Sequence, residues 1–298
     1  MIGAKAEAPG RQVLEGVDHM RWQGRRQSTN VEDRRGVSGG TVAIGGGALG
    51  IIIALVLALV FGLNSGQAPI LPGDTTATTV PGQADPMKDF IETVLASTED
   101  YWSAQFDAMG KTYAPPTLVL FSGVVQTASG TATSATGPFY SPGDKTIYID
   151  LSFYQDLQTK YGAGGDAAEA YVVAHEVGHA VQDQLGILDQ VSAEEQGLSD
   201  TQTNELSVRT ELQADFFAGL VAYYQGENKW LEPGDVEEAL NAANAIGDDR
   251  LQQQAQGYVV PDSFTHGTSE QRVRWFKLGY ETGDFNRGDT FSMPYSQL

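Results

Sequence analysis

Two histidines four residues apart, in the run His175-Glu176-Val177-Gly178-His179, lie inside a largely apolar stretch from Tyr171 to Leu185. On a helix this spacing stacks both imidazoles on one face, where they can grip a single metal ion. A fold that buries such a helix must therefore bring partners to its polar side chains, because unpaired buried polar groups are costly. The carboxylate of Glu176 then falls beside the metal's open position, where a water can be held and deprotonated. Asp166 followed by Glu169 predicts an Asp version of the capping box at the helix start, and Gly186 predicts its stop. Two of the four histidines of the chain occupy this register, so a pair of ordinary surface histidines is the weaker reading.

Two histidines do not complete a catalytic zinc site, which usually takes three protein ligands and leaves one position for water. The segment Glu211-Leu212-Gln213-Ala214-Asp215 offers a carboxylate pair at i and i+4, flanked by Phe216, Phe217 and Leu220 on a predicted core helix. Glu211 completes a His₂Glu set, and Asp215 can hold the outer nitrogen of a ligand histidine. Asp215, Asp183 and Glu205 are the alternatives to Glu211 as third ligand, and an ion pair with Arg209 is the alternative use of Glu211 itself. The cofactor expected on this donor set is Zn²⁺.

The net charge of −20 excludes a nucleic-acid binder, since little basic charge is present to neutralise phosphates. Residues 1–36 hold seven basic and five acidic side chains, which leaves 11 basic and 33 acidic for the remainder. The absence of cysteine removes disulfides, thiolate metal sites and cysteine nucleophiles together. Val42–Leu63 is a run of 22 residues without a charge. As a helix it covers roughly 33 Å, enough to cross the hydrocarbon core of a membrane. Arg34-Arg35 precede it and no Lys or Arg follows until Lys88, so the positive-inside rule places the N-terminus in the cytoplasm and the body outside. A cleaved leader is the competing reading of the same run.

These features predict four regions: a disordered cytoplasmic N-terminus over 1–36, a transmembrane helix over 37–63, a flexible Gly/Pro/Thr linker over 64–85 and a catalytic domain over 86–298. Within the domain, Thr117–Phe121 and Thr146–Leu151 read as strands with a polar loop, Thr127–Gly137, between them. Helices are expected at about 166–185, 200–226, 233–254 and 268–281. The class is α+β, mostly helical with a small sheet. The strand at Thr146–Asp150 is a candidate cleft edge for an extended peptide.

Five segments together carry a resemblance: Met-Arg-Trp-Gln-Gly-Arg-Arg at 20–26, Asn-Val-Glu-Asp-Arg-Arg at 30–35, the histidine motif at 175–179, Glu-Leu-Gln-Ala-Asp at 211–215 and His-Gly-Thr-Ser-Glu-Gln-Arg at 266–272. From Met20 to about Tyr280 the chain resembles the neutral zinc metallopeptidases, a family of membrane-anchored bacterial proteins. The resemblance implies a gluzincin-like zincin domain behind an N-terminal anchor, acting on a peptide or protein substrate. A looser analogy, to integral-membrane metalloproteases, gives His266 a place at the oxyanion, with Arg272 either there or paired to Asp215. A structural role for His266 is the alternative. A catalytically silent zincin-fold scaffold and a zinc hydrolase of non-peptide amides are the competing functions; Glu176 argues against the scaffold, which needs no base beside its metal. Oligomeric state is not legible.

Overall fold

The computed structural model describes residues 20–36 and 85–298. The expected transmembrane run, most of the linker and the tail 1–19 lie outside the described residues, and no described helix is long and apolar enough to cross a membrane. Eight α-helices and six strands are present among the described residues. The strands are β1 (Val31–Asp33), β2 (Thr117–Phe121), β3 (Val124–Thr127), β4 (Gly130–Thr133), β5 (Phe139–Ser141) and β6 (Thr146–Asp150). The helices are α1 (Pro86–Ala108), α2 (Ser152–Thr159), α3 (Asp166–Gln184), α4 (Ile187–Glu194), α5 (Asp200–Glu227), α6 (Asp235–Ala245), α7 (Asp248–Gln256) and α8 (Ser269–Thr282).

A four-stranded sheet in the order β1-β2-β6-β5 backs the helices. Its first three strands run parallel, with Val31 opposite Leu118 and Leu118 opposite Ile147; β5 closes it antiparallel, with Phe139 opposite Tyr148. The near-continuous apolar run of β2 is buried on both faces, as expected of an inner parallel strand. Leu118, Leu120, Ile147 and Ile149 join the main helical core, while Val119, Phe121 and Tyr148 pack under the β3–β4 hairpin with Val125 and Ala132.

The helical layer carries the site. Helix α1 opens on Asp85, whose side chain accepts from the Lys88 backbone N–H, with Pro86 in the first turn. Helix α3 packs against α5 where Gly178 meets Ala214: a Cβ on Gly178 falls 3.2 Å from the Ala214 backbone. Helix α5 in turn crosses α8 at two glycines. A Cβ on Gly219 lands 2.0 Å from the Phe276 carbonyl oxygen, and one on Gly279 lands 2.2 Å from that of Phe216. The two backbones touch at this crossing, which leaves no room for a methyl group on either side.

Five sequence expectations need correction. Residues 20–36 are not a disordered tail: Met20 is 1% exposed, β1 is a strand of the main sheet, and the folded unit therefore starts before residue 86. The polar loop 127–137 contains strand β4, because Thr and Ala alternate there opposite β3. Strand 146–150 is internal, flanked by β2 and β5, so among the described residues the edges of this sheet are β1 and β5. The expected helix 233–254 is two helices, broken at Ile246-Gly247, where a Cβ on Gly247 would fall 2.4 Å from the Ser269 nitrogen. The Asp166 capping box also does not form, since Gly165 is the N-cap; the Glu238 carboxylate from α6 instead accepts from the Ala167 N–H at 3.3 Å.

Replacing Gly219 or Gly279 by Ala should force α5 and α8 apart and cost about 1–3 kcal/mol or more of stability, as overpacked cores do. Chemical denaturation of the two variants measures this; a cost under about 0.5 kcal/mol for both would refute the close crossing.

Candidate metal centre

His175, Glu176 and His179 project from the middle of α3, where one helical turn separates the two imidazoles; their rings lie 4.9 Å apart and perpendicular. Glu211 reaches the same point from α5. Its carboxylate lies 3.1 Å from His175 Nε2 and 3.5 Å from His179 Nε2, and one ligand atom from each residue falls within 4.8 Å of the others. Among the described residues this is the group of His, Asp and Glu side chains placed to hold a metal ion.

Each histidine is fixed from behind. His175 Nδ1 is 2.8 Å from Asp215 Oδ1, so the ring directs Nε2 into the site. Asp215 is fully buried and also accepts from the Tyr171 hydroxyl at 2.5 Å and from Arg272 Nε at 2.8 Å. Arg272 donates further to Tyr171 Oη at 3.0 Å and to the Ile246 carbonyl at 3.3 Å. His179 Nδ1 lies 2.9 Å from Gln182 Oε1; the Gln182 amide donates to Thr210 O at 2.7 Å and to Gln213 Oε1 at 3.0 Å. Gln213 then donates to the Gly288 carbonyl at 2.8 Å. The sequence reading missed Gln182. The signal was available, since Gln182 stands three residues after His179 and so shares its helix face.

Burial and charge oppose each other throughout. Burial alone would lower the His175 pKa, but the Asp215 and Glu211 carboxylates outweigh it and raise it to about 10. His179 is likewise raised, burial being overcome mainly by Glu211. Burial works against ionised Glu211, yet His179, His266 and the bond from His175 hold it well below the usual carboxylate range. Glu176 has no such compensation: burial raises it, offset only in part by the two histidines. The Tyr140 backbone N–H on β5 lies against its carboxylate, while Oε2 is buried without a hydrogen-bond partner. A buried carboxylate oxygen left unpaired costs free energy unless a further group meets it. Two imidazoles, one carboxylate and this oxygen fit a zinc ion with a water.

His266 borders the same cavity as His175, Glu176, His179 and Glu211, a cleft of about 120 Å³. Its Nδ1 is 3.2 Å from Asp248 Oδ1, and the same carboxylate's Oδ2 accepts the His266 backbone N–H at 2.7 Å. The alternatives raised for the third ligand lie elsewhere in their bonding: Asp183 accepts from the Tyr140 hydroxyl at 2.6 Å and from Lys145 at 3.1 Å, and Asp215 stands behind His175. Arg209 does not pair with Glu211; its guanidinium bonds the Thr290 and Met293 carbonyls.

With this geometry established, comparison with known proteins is informative. A family model described as "Putative neutral zinc metallopeptidase" matches residues 20–291. A protein of Escherichia coli K12, named "Uncharacterized protein YpfJ", is 51% identical over 285 residues, covering 91% of this chain and 99% of its own. "Uncharacterized protein Rv2575" of Mycobacterium tuberculosis H37Rv is 45% identical over 214 residues, covering 68% of this chain and 71% of its own. No solved structure matches the chain significantly.

Changing His175 or His179 to Ala should abolish stoichiometric zinc binding by the purified full chain. Gln182→Ala should leave the fold intact and weaken zinc about 10–100-fold, the usual effect of removing a ligand's outer partner. Competition with a chromophoric chelator reads both, and unchanged affinity in Gln182→Ala would remove it from the site.

Proposed function

The chain belongs to the neutral zinc metallopeptidase family, and from that premise we propose that it is a membrane-associated, zinc-dependent peptidase with a gluzincin-like site. His175, His179 and Glu211 hold the metal in this reading, and Glu176 is the general base. The observation that carries it is the convergence of the three ligand atoms beside the unpaired Glu176 Oε2. Zinc bound there would lower the pKa of a water towards about 7 and polarise the scissile carbonyl.

The chain's own residues do the rest. Glu176 takes the water's proton and delivers it to the leaving amine, and its burial makes it a stronger base than a solvated carboxylate. Asp215 keeps the His175 ring in register, and Gln182 does the same for His179. Arg272 is a positioning residue, because its donors are committed to Asp215, Tyr171 and the Ile246 carbonyl. His266 stabilises the developing oxyanion. Asp248 and Glu211 overcome the effect of burial on it and raise its pKa, which favours the cationic ring that this role requires.

The substrate is an extended peptide. Among the described residues, strand β5 ends the sheet and pairs on its β6 side alone, so a peptide can add along its outer edge next to Glu176. Phe153, Tyr161, Val172, Ile246 and Leu251 line the cleft and favour an apolar side chain beside the scissile bond. The net charge of −20 argues against nucleic acid as a partner.

Glu176→Gln should retain zinc and fold while losing about 10²–10⁴-fold in peptide hydrolysis, because it removes the base and no ligand. Cleavage of a fluorogenic apolar peptide by the full chain tests this. Near wild-type turnover in a zinc-loaded Glu176→Gln variant would defeat the mechanism.

A further inference from the structure

Residues Met20–Gly36 precede the apolar run Val42–Leu63, and residues from Asp85 follow it, yet both belong to one folded body. The contacts of this N-terminal strap reach three separate elements. The Arg21 N–H donates to the Trp230 carbonyl at 2.8 Å, and the Arg25 guanidinium lies 3.4 Å over the Trp230 ring. Against α1, Trp22 packs edge-on to Phe90, the Ser28 N–H donates to the Glu92 carbonyl at 2.9 Å, and Asn30 Nδ2 and Ser28 Oγ both bond Glu99. Beyond these, β1 pairs with β2 over Val31–Asp33. A segment with a buried side chain, ladder bonds and a buried carboxylate partner is part of the fold.

The strap and the body also meet at the ends of the intervening segment. The Arg35 guanidinium is 2.6 Å from the Asp85 carboxylate. The 48 residues 37–84 therefore leave and re-enter the fold within the reach of one arginine side chain. A single crossing by Val42–Leu63 would set those two points on opposite sides of about 30 Å of hydrocarbon. A return crossing is not available either, because residues 64–84 carry Asp74 and three prolines among glycines and threonines, with no apolar run.

We infer that the strap and the body lie on the same side of the membrane. The strap's arginines, Arg34-Arg35 of the positive-inside reading among them, pair within the fold. Arg21 pairs with Glu232, Arg26 with Glu99 and Asp100, Arg34 with Glu32, and Arg35 with Asp33 and Asp85. The pairs with Glu232, Glu99 and Asp85 bind the strap's arginines to the folded body. The strap joins the sheet at β1, the edge opposite β5. None of this depends on the peptidase reading.

The chain contains no cysteine, so single cysteines report cleanly. Full-length Gln23→Cys in the strap and Glu270→Cys in the body, both at exposed positions, are treated with a membrane-impermeant maleimide in intact spheroplasts and after lysis. Thr29→Cys and Lys277→Cys, also exposed, repeat the comparison should either first variant fold poorly. The two positions should share one state, both labelled in intact cells or both labelled only after lysis. Labelling of one with protection of the other would overturn the inference and restore the single crossing.

Discussion

Asp215 holds the helical layer around the candidate metal centre together. It has no solvent exposure, and two other helices direct donors to it: Tyr171 and His175 from α3 and Arg272 from α8, while Asp215 itself belongs to α5. A buried carboxylate is expensive, and here the cost is offset by a charged partner and complete hydrogen bonding, with Arg272 outweighing burial to keep the group ionised. Removing either member of such a pair typically costs 3–5 kcal/mol because the other is left buried and uncompensated. The network therefore couples the orientation of a metal ligand to the packing of three helices. Loss of Asp215 is accordingly a change to the fold as well as to the metal's surroundings.

The close helix crossings serve the same end. Gly178 lets α3 lie directly on Ala214, one residue before Asp215, and the Gly219–Gly279 contact draws α8 onto α5 so that Arg272 reaches across. Small residues at these points set the depth of the interhelical contacts, and the charged residues fill what those contacts enclose. Across the sheet, β5 brings the Tyr140 backbone to Glu176, while β1 at the far edge joins the strap to the body. Strands β5 and β1 are opposite edges of one sheet.

The site was legible because helical spacing is local. His175, Glu176 and His179 share a face by arithmetic, and so do Glu211 and Asp215; their convergence followed from the cost of burying acids on an apolar helix. What escaped depended on contacts distant in sequence. Gln182 is an ordinary polar residue until Thr210 and Gln213 are placed opposite it. Gly247 looks permissive within a helix until Ser269 is brought against its Cα. The strap was misread for the same reason: Val31–Asp33 is too short and too charged to signal a strand, and it becomes one only by pairing with β2. The apolar run suggested a boundary between compartments, whereas the contacts on either side of it define a single body.

The fixed charges around the candidate metal centre do not balance on their own. Glu176, Glu211 and Asp215 bring three carboxylates into one buried region, against the single fixed positive charge of Arg272. His266 and Asp248 form a pair beside them and cancel each other when the imidazole is protonated. In the metal-free chain the excess falls on the histidines, and the rise of His175 to about 10 is its expression. Two positive charges at the point where the ligand atoms converge neutralise the cluster with both imidazoles unprotonated, as metal ligation requires. The two histidines are not equivalent donors, however. A carboxylate behind His175 raises its basicity, whereas the neutral amide of Gln182 orients His179 without adding charge. Replacing that amide by another carboxylate would add a buried negative charge, which a divalent ion no longer balances.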